Sequence, residues 1–131
     1  MTKIIQDLQE ARILLNEDPV KTEGGLSSGN AGESSNFLCY RALRLNYYAV
    51  TGLLARVCLY AGQRENAFNY STEVIKASNN GIFPFVDRSL VNGTAQDPDR
   101  IFSPEVLFAL SDSQRGELFE EYFDPSLAPN M

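Results

Sequence analysis

The chain has 131 residues, which is enough for one domain with a buried core and too few for two substantial domains. Hydrophobic residues make up 44% of the sequence and charged residues 21%, a composition typical of a folded globular protein rather than a disordered chain. Eleven basic and seventeen acidic residues leave a net charge of −6, and no basic cluster lies among aromatic residues, which argues against a nucleic-acid partner.

The N-terminal residues predict an amphipathic helix from Thr2 to about Asn16. Apolar residues recur on one face of this helix, at Ile4, Ile5, Leu8, Ala11 and Leu15. The pair Asp18-Pro19 ends the pattern. The same residues lack the apolar core of a signal peptide, as expected either for a cytoplasmic protein or for an internal piece of a longer exported one.

Residues 20–36 predict an exposed, flexible loop. They include four glycines and four serines, and Leu26 is their only large apolar residue. Such a composition cannot offset the conformational entropy lost when a segment is ordered. A phosphate-binding glycine loop would also need a preceding strand and a Gly-Lys-Ser/Thr ending, and neither is present.

Residues 47–61 predict a helix that is enclosed by its neighbours. Only Thr51, Gly52 and Arg56 among these fifteen residues are not hydrophobic, so the helix should be covered on most sides. Asn46 is placed to cap the N-terminus of this helix, and Gly62 to end it in the left-handed backbone region. We expect the apolar face of the first helix to pack against it.

An amphipathic helix from Arg64 to Ser78 is predicted to follow the enclosed helix. Asn79-Asn80-Gly81 closes it with residues that tolerate left-handed backbone. Two helices separated by so short a break predict an αα-hairpin. Four aromatic residues at helical spacing are interpreted as packing residues without a binding role, namely Tyr47, Tyr48, Tyr60 and Phe68.

Residues 81–104 predict irregular structure, because three prolines in this stretch prevent a long helix. Its apolar side chains are predicted to be buried anchors, namely Ile82, Phe83, Phe85 and Phe102. The continuous apolar run from Val106 to Leu110 predicts a short buried strand. Such a strand needs a pairing partner, which is supplied either by a loop of this chain or by polypeptide outside it.

The last stretch, residues 113–131, predicts one or two helical turns and ends in proline and asparagine without visible closure. Four carboxylates lie in it, at Glu117, Glu120, Glu121 and Asp124. They could hold a hard cation through their oxygens, but a solvated helix face explains them better.

The sequence predicts no enzyme and no cofactor. Without histidine, neither a Ser-His-Asp nor a Cys-His nucleophilic site can be built. Cys39 and Cys58 are too few for a disulfide framework and lack the spacing of a metal site. Cys58 lies on the enclosed helix, where a free thiol acts as a small hydrophobic side chain.

The hairpin resembles a tetratricopeptide repeat. Ala55 and Ala67 flank Gly62, in keeping with the small residues that such repeats need where their helices cross. The match is partial, because Thr51 stands where an aromatic residue is usual and Cys58 where tyrosine is.

A more specific resemblance includes the residues before the hairpin. The sequence from Arg44 to Val50, then from Leu53 to Gly62, and then Ala67 and Val74-Ile75, resembles the central helical repeat of the SusD/RagB family. Other residues match the family's preceding helix and following strand in the same order, namely Ile5, Asp7-Leu8, Ala11, Phe102 and Glu105–Leu110.

The resemblance implies a cell-surface lipoprotein of Bacteroidetes-type bacteria that captures nutrients, usually oligosaccharides. Such proteins lie over a TonB-dependent, SusC-like outer-membrane transporter and are attached to the outer membrane by a lipid anchor. Family members are several times longer, so we expect this chain to be a soluble internal fragment, with the anchor absent from it. The expected fold is mainly α: a tetratricopeptide-like αα-hairpin and an N-terminal helix in one domain over residues 1–131, with long loops and one short strand.

The resemblance also suggests three candidate ligand-binding residues, Arg115, Tyr122 and Phe123, which follow the family-like strand. Aromatic rings pack on the C–H faces of sugars, while arginine donates hydrogen bonds to their hydroxyls. Packing in the core or in a loop is the competing interpretation of the two aromatic residues. The alternative for the whole chain is a cytoplasmic, tetratricopeptide-like scaffold that binds peptides in a helical groove.

Overall fold

The computed structural model describes residues 2–25, 39–92, 98–99, 101–110 and 114–122, except for the side chains of residues 115 and 118–120. The fold is mainly α. Its α-helices in chain order are α1 (Thr2–Leu14), α2 (Val20–Glu23), α3 (Tyr47–Tyr60), α4 (Arg64–Asn79), α5 (Arg88–Val91) and α6 (Arg115–Tyr122). Two short 3-10 helices, Arg41–Leu43 and Ser103–Glu105, lie between them. None of the helices within the described ranges has the length and apolar character needed to cross a membrane.

The helices α3 and α4 form the predicted helical hairpin. The side chain of Asn46 caps α3 by accepting a hydrogen bond of 2.9 Å from the backbone N–H of Ala49, as predicted. Gly62 closes the turn between the helices at φ +75°, a conformation that costs a residue with a side chain far more than it costs glycine. At the other end of α4, Gly81 takes φ +82° after Asn80, which confirms the predicted closure.

The helix α1 packs against this hairpin, as its apolar face predicts. One core cluster joins Ile5 of α1 to Val50, Leu54 and Cys58 of α3 and to Ala67 of α4. A second cluster forms under the ends of the hairpin, from Val20, Ala42, Tyr47, Tyr48, Ala77 and Phe83. Leu15 packs against both clusters, so the core is continuous along the hairpin.

The prediction that α3 is covered on most sides is wrong for its outer face. Val50, Leu54 and Cys58 lie four residues apart and are fully buried, because α1 and α4 both pack on that side. The outer face keeps Leu53 42% exposed and Leu59 62% exposed. A helix that is apolar on most sides can therefore still have one solvent-exposed side.

The aromatic residues of the hairpin divide in the same way. Tyr47 and Tyr48 are buried, which confirms their predicted packing role. Tyr60 and Phe68 were predicted to pack as well, and this is wrong, since they are 66% and 69% exposed. They lie on helix faces that no described element covers.

The first residues of the predicted loop over residues 20–36 form a short helix. Val20–Glu23 is a helical turn, and its Val20 N–H donates a hydrogen bond of 3.0 Å to the Asp18 carboxylate. Val20 is fully buried, because Ala42 and Phe83 pack around it. Gly25 is also buried, and a Cβ there would lie 2.5 Å from the Phe83 ring. The expectation of a loop is wrong for Val20–Glu23, and the expectation of exposure is wrong for Val20 and Gly25 but confirmed for Thr22 and Glu23. The remainder of the expected loop lies outside the described residues.

The predicted strand from Val106 to Leu110 is not confirmed. In the described ranges this run makes one long-range backbone hydrogen bond, 2.8 Å from the Ala109 N–H to the Ala42 carbonyl. Ala42, in the 3-10 helix Arg41–Leu43, thus supplies a single hydrogen bond rather than the ladder of a strand pair. Of the predicted anchors, Phe83 is buried and Ile82 packs beside it, whereas Phe85 and Phe102 are exposed.

Candidate functional site

A buried ion pair organises the approach to α3. Arg41 donates to both carboxylate oxygens of Asp18, at 2.9 Å from Nε and 2.8 Å from Nη2, in a two-point contact. Both side chains are almost completely buried. The Asp18 carboxylate also accepts a hydrogen bond of 3.1 Å from the Tyr47 N–H in the first turn of α3. The helix N-terminus, which attracts negative charge, therefore holds this carboxylate together with the arginine.

Asn46 extends this polar cluster to the C-terminal part of the chain. Besides capping α3, its side-chain amide donates to the Leu107 carbonyl at 2.6 Å and to the Arg41 carbonyl at 3.0 Å. Asn46 itself is fully buried. Asn46 thus holds together the 3-10 helix Arg41–Leu43, the start of α3 and the run from Val106 to Leu110.

A second polar cluster joins α1, α3 and α4. Arg12 forms a 2.6 Å ion pair with Glu73 and donates to the Thr51 hydroxyl at 3.3 Å. The Tyr47 hydroxyl donates to the other oxygen of Glu73 at 2.6 Å. Arg12 and Lys21 lie over the Tyr47 ring, 5.0 Å and 4.4 Å from its centroid.

The pKa values of two tyrosines respond to this environment. Burial, and then the hydrogen bond to Glu73 and the negative charge of that residue, raise the pKa of Tyr47 to about 12. Burial and the charge of Glu73 also raise the pKa of Tyr48. The Tyr47 phenol acts as a hydrogen-bond donor to Glu73, and the rings of both tyrosines pack in the core.

The polar groups of both clusters are satisfied within the fold. Their hydrogen-bonding groups contact one another, and no buried side-chain nitrogen or oxygen within the described residues lacks a partner. Among the described residues, no group of three or more His, Cys, Asp or Glu side chains could hold a metal ion. What the described clusters do is position the helices.

The predicted ligand-binding residues lie at the C-terminal end of the described chain. Tyr122 is in the last turn of α6 and 64% exposed, so its ring is accessible to a ligand. Arg115 begins the same helix, but its side chain lies outside the description, and Phe123 lies beyond the described residues. Whether the three side chains come together stays a prediction.

The outer face of α3 is bordered by two apolar cavities that share Gly52 and Arg56. One cavity, of about 510 Å³, lies between α3 and the run that includes Leu107. The other, of about 500 Å³, lies between α3 and α4. We call the two together the α3 groove, and its apolar lining includes Leu45, Ala49, Leu53, Ala55, Leu59, Phe68 and Phe108.

The charged groups of the α3 groove are two arginines, Arg56 and Arg64, and no carboxylate belongs to its described lining. Arg56 lies over the Tyr60 ring at 5.8 Å from its centroid. Neither arginine forms an ion pair with a carboxylate of the described residues. The groove is therefore apolar and locally basic in a chain whose net charge is −6.

The sequence predicts the cap at Asn46 but not the buried pair of Asp18 and Arg41. It indicates only a helix end at Asp18, and Arg41 lies in a stretch without a periodic pattern. The available signal was Asp18-Pro19 before an apolar Val20, because an aspartate followed by such a turn accepts backbone N–H groups. Its pairing with a residue 23 positions away has no local signature.

Comparisons of the chain with protein-family models, with curated proteins and with solved structures found no match. Within the geometry, the α3 groove and the exposed end of α6 are the surfaces that suit binding.

Proposed function

We propose that this chain is the helical-repeat part of a SusD/RagB-type nutrient-binding protein that captures oligosaccharides without enzymatic activity. The captured nutrient is then handed to a TonB-dependent, SusC-like transporter. In this proposal the longer protein lies at the cell surface, attached to the outer membrane by a lipid anchor outside this chain.

The observation that carries the proposal is the packing of α1 across the α3–α4 hairpin. The resemblance implies a helix preceding a tetratricopeptide-like hairpin, and Ile5 and Leu8 of α1 contact the hairpin core. Gly62 forms the turn between the helices, and Ala67 is buried where they approach each other. These are the positions at which the sequence resembles the family.

The candidate sugar contacts in this proposal are Arg115, Tyr122 and Phe123. An exposed tyrosine ring offers a flat apolar surface with a polar tip, which suits a sugar that presents both C–H bonds and hydroxyls. Arg115 begins the same helix about two turns before Tyr122, and in this proposal arginine supplies the hydrogen-bond donors.

Calorimetric titration with a panel of oligosaccharides tests this proposal, using both this chain and the longer polypeptide of its reading frame. We expect saturable binding by the longer polypeptide, weakened at least about tenfold by Tyr122→Ala. Tyr60→Ala is the matched control, because Tyr60 is 66% exposed but lies on α3, and it should leave the affinity unchanged. Absence of oligosaccharide binding by the longer polypeptide would contradict the proposal.

The location is tested separately by reading the gene upstream of this segment. The proposal requires a signal peptide followed by a lipid-bearing cysteine, and a neighbouring gene for a transporter of the TonB-dependent class. An upstream reading frame that encodes further tetratricopeptide repeats without a leader would favour the second candidate function, a tetratricopeptide-like scaffold for protein–protein interaction. The α3 groove is the observation that favours this second candidate.

A further inference from the structure

We propose that the α3 groove binds an amphipathic helix of another protein, one whose apolar stripe is flanked by carboxylates. None of the described lining residues of the groove is among the candidate sugar contacts. The inference does not require nutrient binding; it rests on the second candidate function, a scaffold for protein–protein interaction, and names the class of its partner.

The groove has the shape and chemistry that a helix needs. Helices pack with their axes 8–10 Å apart, which requires small side chains at the closest approach. Ala49 and Ala55 supply them on α3, on either side of Gly52, which already lies against the Leu107 side chain. Leu53 and Leu59 provide exposed apolar surface beside them, so an apolar stripe on a partner helix can cover side chains that are now exposed.

Charge identifies the kind of partner. Arg56 lies where the two cavities meet, and Arg64 lies at the start of α4, so both guanidinium groups border the apolar lining. Neither is paired with a carboxylate of the described residues, and the described lining contributes none. Because opposite charges at the rim of an interface select and orient partners, glutamate or aspartate beside the stripe complements this groove.

The same charges disfavour a second copy of this chain. A two-fold symmetric contact places the same patch on both partners, so Arg56 and Arg64 of one copy would face those of the other. A sugar also suits the groove poorly, since apart from the arginines and Ser71 its lining offers no polar side chain for hydroxyl groups. An acidic amphipathic helix satisfies both the apolar lining and the arginines.

The test uses the full chain and two synthetic helical peptides of about 18 residues, long enough to match α3. Both peptides carry leucine at helical spacing; one has glutamate beside the leucines, and the other has lysine at the same positions. Fluorescence anisotropy should show that the glutamate peptide binds at least about tenfold more tightly than the lysine peptide. Raising the salt concentration should narrow this difference, because screening weakens exposed charge pairs.

Two variants locate the binding on the groove. Arg56→Glu should weaken binding of the glutamate peptide by about tenfold and strengthen binding of the lysine peptide. Leu53→Ser should weaken binding of both peptides, since it removes apolar surface. Arg88→Glu is the matched control, because Arg88 is an exposed arginine on α5 away from the groove lining, and it should change neither affinity.

Several results would overturn the inference. These are equal affinity for the two peptides, no binding of either peptide, and an equal effect of Arg56→Glu and Arg88→Glu. Self-association of the chain that Arg56→Glu abolishes would assign the groove to a second copy instead. Oligosaccharide binding that Leu53→Ser abolishes would assign it to a sugar.

Discussion

Among single residues, the buried pair Asp18–Arg41 links the segment after α1 to the segment before α3. Each carboxylate oxygen of Asp18 accepts from Arg41 and from one backbone N–H, so the negative charge is fully hydrogen-bonded. A buried charge is tolerated only when it is paired in this way. The pair also joins the end of α1 to the start of α3, which are separated by a long stretch of sequence.

Asp18→Asn should therefore be strongly destabilising. The substitution leaves Arg41 charged and buried without its counter-ion, which costs about 3–5 kcal/mol of unfolding free energy. Urea unfolding followed by circular dichroism measures the change. The control is Asp7→Asn, which removes a solvent-exposed i,i+4 pair with Lys3 and should change stability by about 0.5 kcal/mol or less. Equal effects of the two substitutions would show that the buried pair does not hold the helices together.

Asn46 performs two tasks that substitution can separate. Asn46→Ala removes both the cap of α3 and the donor to the Leu107 carbonyl, at a cost of about 2–4 kcal/mol. Asn46→Ser keeps a capping hydroxyl but cannot reach Leu107, so its cost should be about half of that. Unfolding midpoints in urea give the order. If the serine variant is as stable as the wild type, the contact with Leu107 contributes nothing measurable.

At the scale of elements, α3 has one buried and one open face. Leu54 is fully buried between α1 and α4, whereas its neighbour Leu53 is 42% exposed. Leu54→Ala should cost about 2–5 kcal/mol, because it opens a cavity in the core. Leu53→Ala should cost about 1 kcal/mol or less, since that side chain is only partly removed from water. Thermal unfolding of the two variants compares the faces directly, and equal losses would mean that the outer face is covered in solution.

The cluster that joins α1, α3 and α4 predicts how stability depends on alkaline pH. The pKa of Tyr47 is about 12 in the folded chain and about 10 for an unfolded tyrosine, so folding favours the protonated phenol. The stability linked to this group is fully present below pH about 10, and it is lost as the pH rises from there through 12. Urea unfolding across this pH range should show a steeper loss in the wild type than in Tyr47→Phe. Parallel curves would contradict the assignment of the raised pKa to Tyr47.

At the scale of the whole molecule, the sequence predicts the helical layout well and the surfaces poorly. The cap at Asn46, the turn at Gly62 and the packing of α1 are confirmed because each depends on residues close together in the chain or on a clear apolar stripe. Exposure is different. Leu59 and Phe68 follow the same apolar pattern as buried residues, and only the positions of the neighbouring helices decide which side stays open.

Contacts between residues far apart in the chain also explain why the sequence does not predict the Asp18–Arg41 pair or the burial of Val20. The contact between Asp18 and Arg41 spans residues whose local patterns are unrelated, so periodicity cannot reveal it. The composition of residues 20–36 predicts a loop, yet Val20 is buried because distant residues, Ala42 and Phe83, surround it. The sequence names Tyr122 as a candidate ligand contact, and that role stays a prediction, whereas the α3 groove can be seen only once the helices are packed.

The continuity of the core predicts that α1 and the hairpin unfold as one unit. Leu15 packs against both core clusters, and the Asp18–Arg41 pair connects α1 to α3 beside it. Amides of α3 should therefore exchange hydrogen at least about 1,000-fold more slowly than amides of α5, which has no buried residue. Asp18→Asn should accelerate exchange in α1, α3 and α4 by similar factors, because all three depend on the same global opening. Acceleration confined to the residues around Asp18 would show instead that the hairpin is stable without α1.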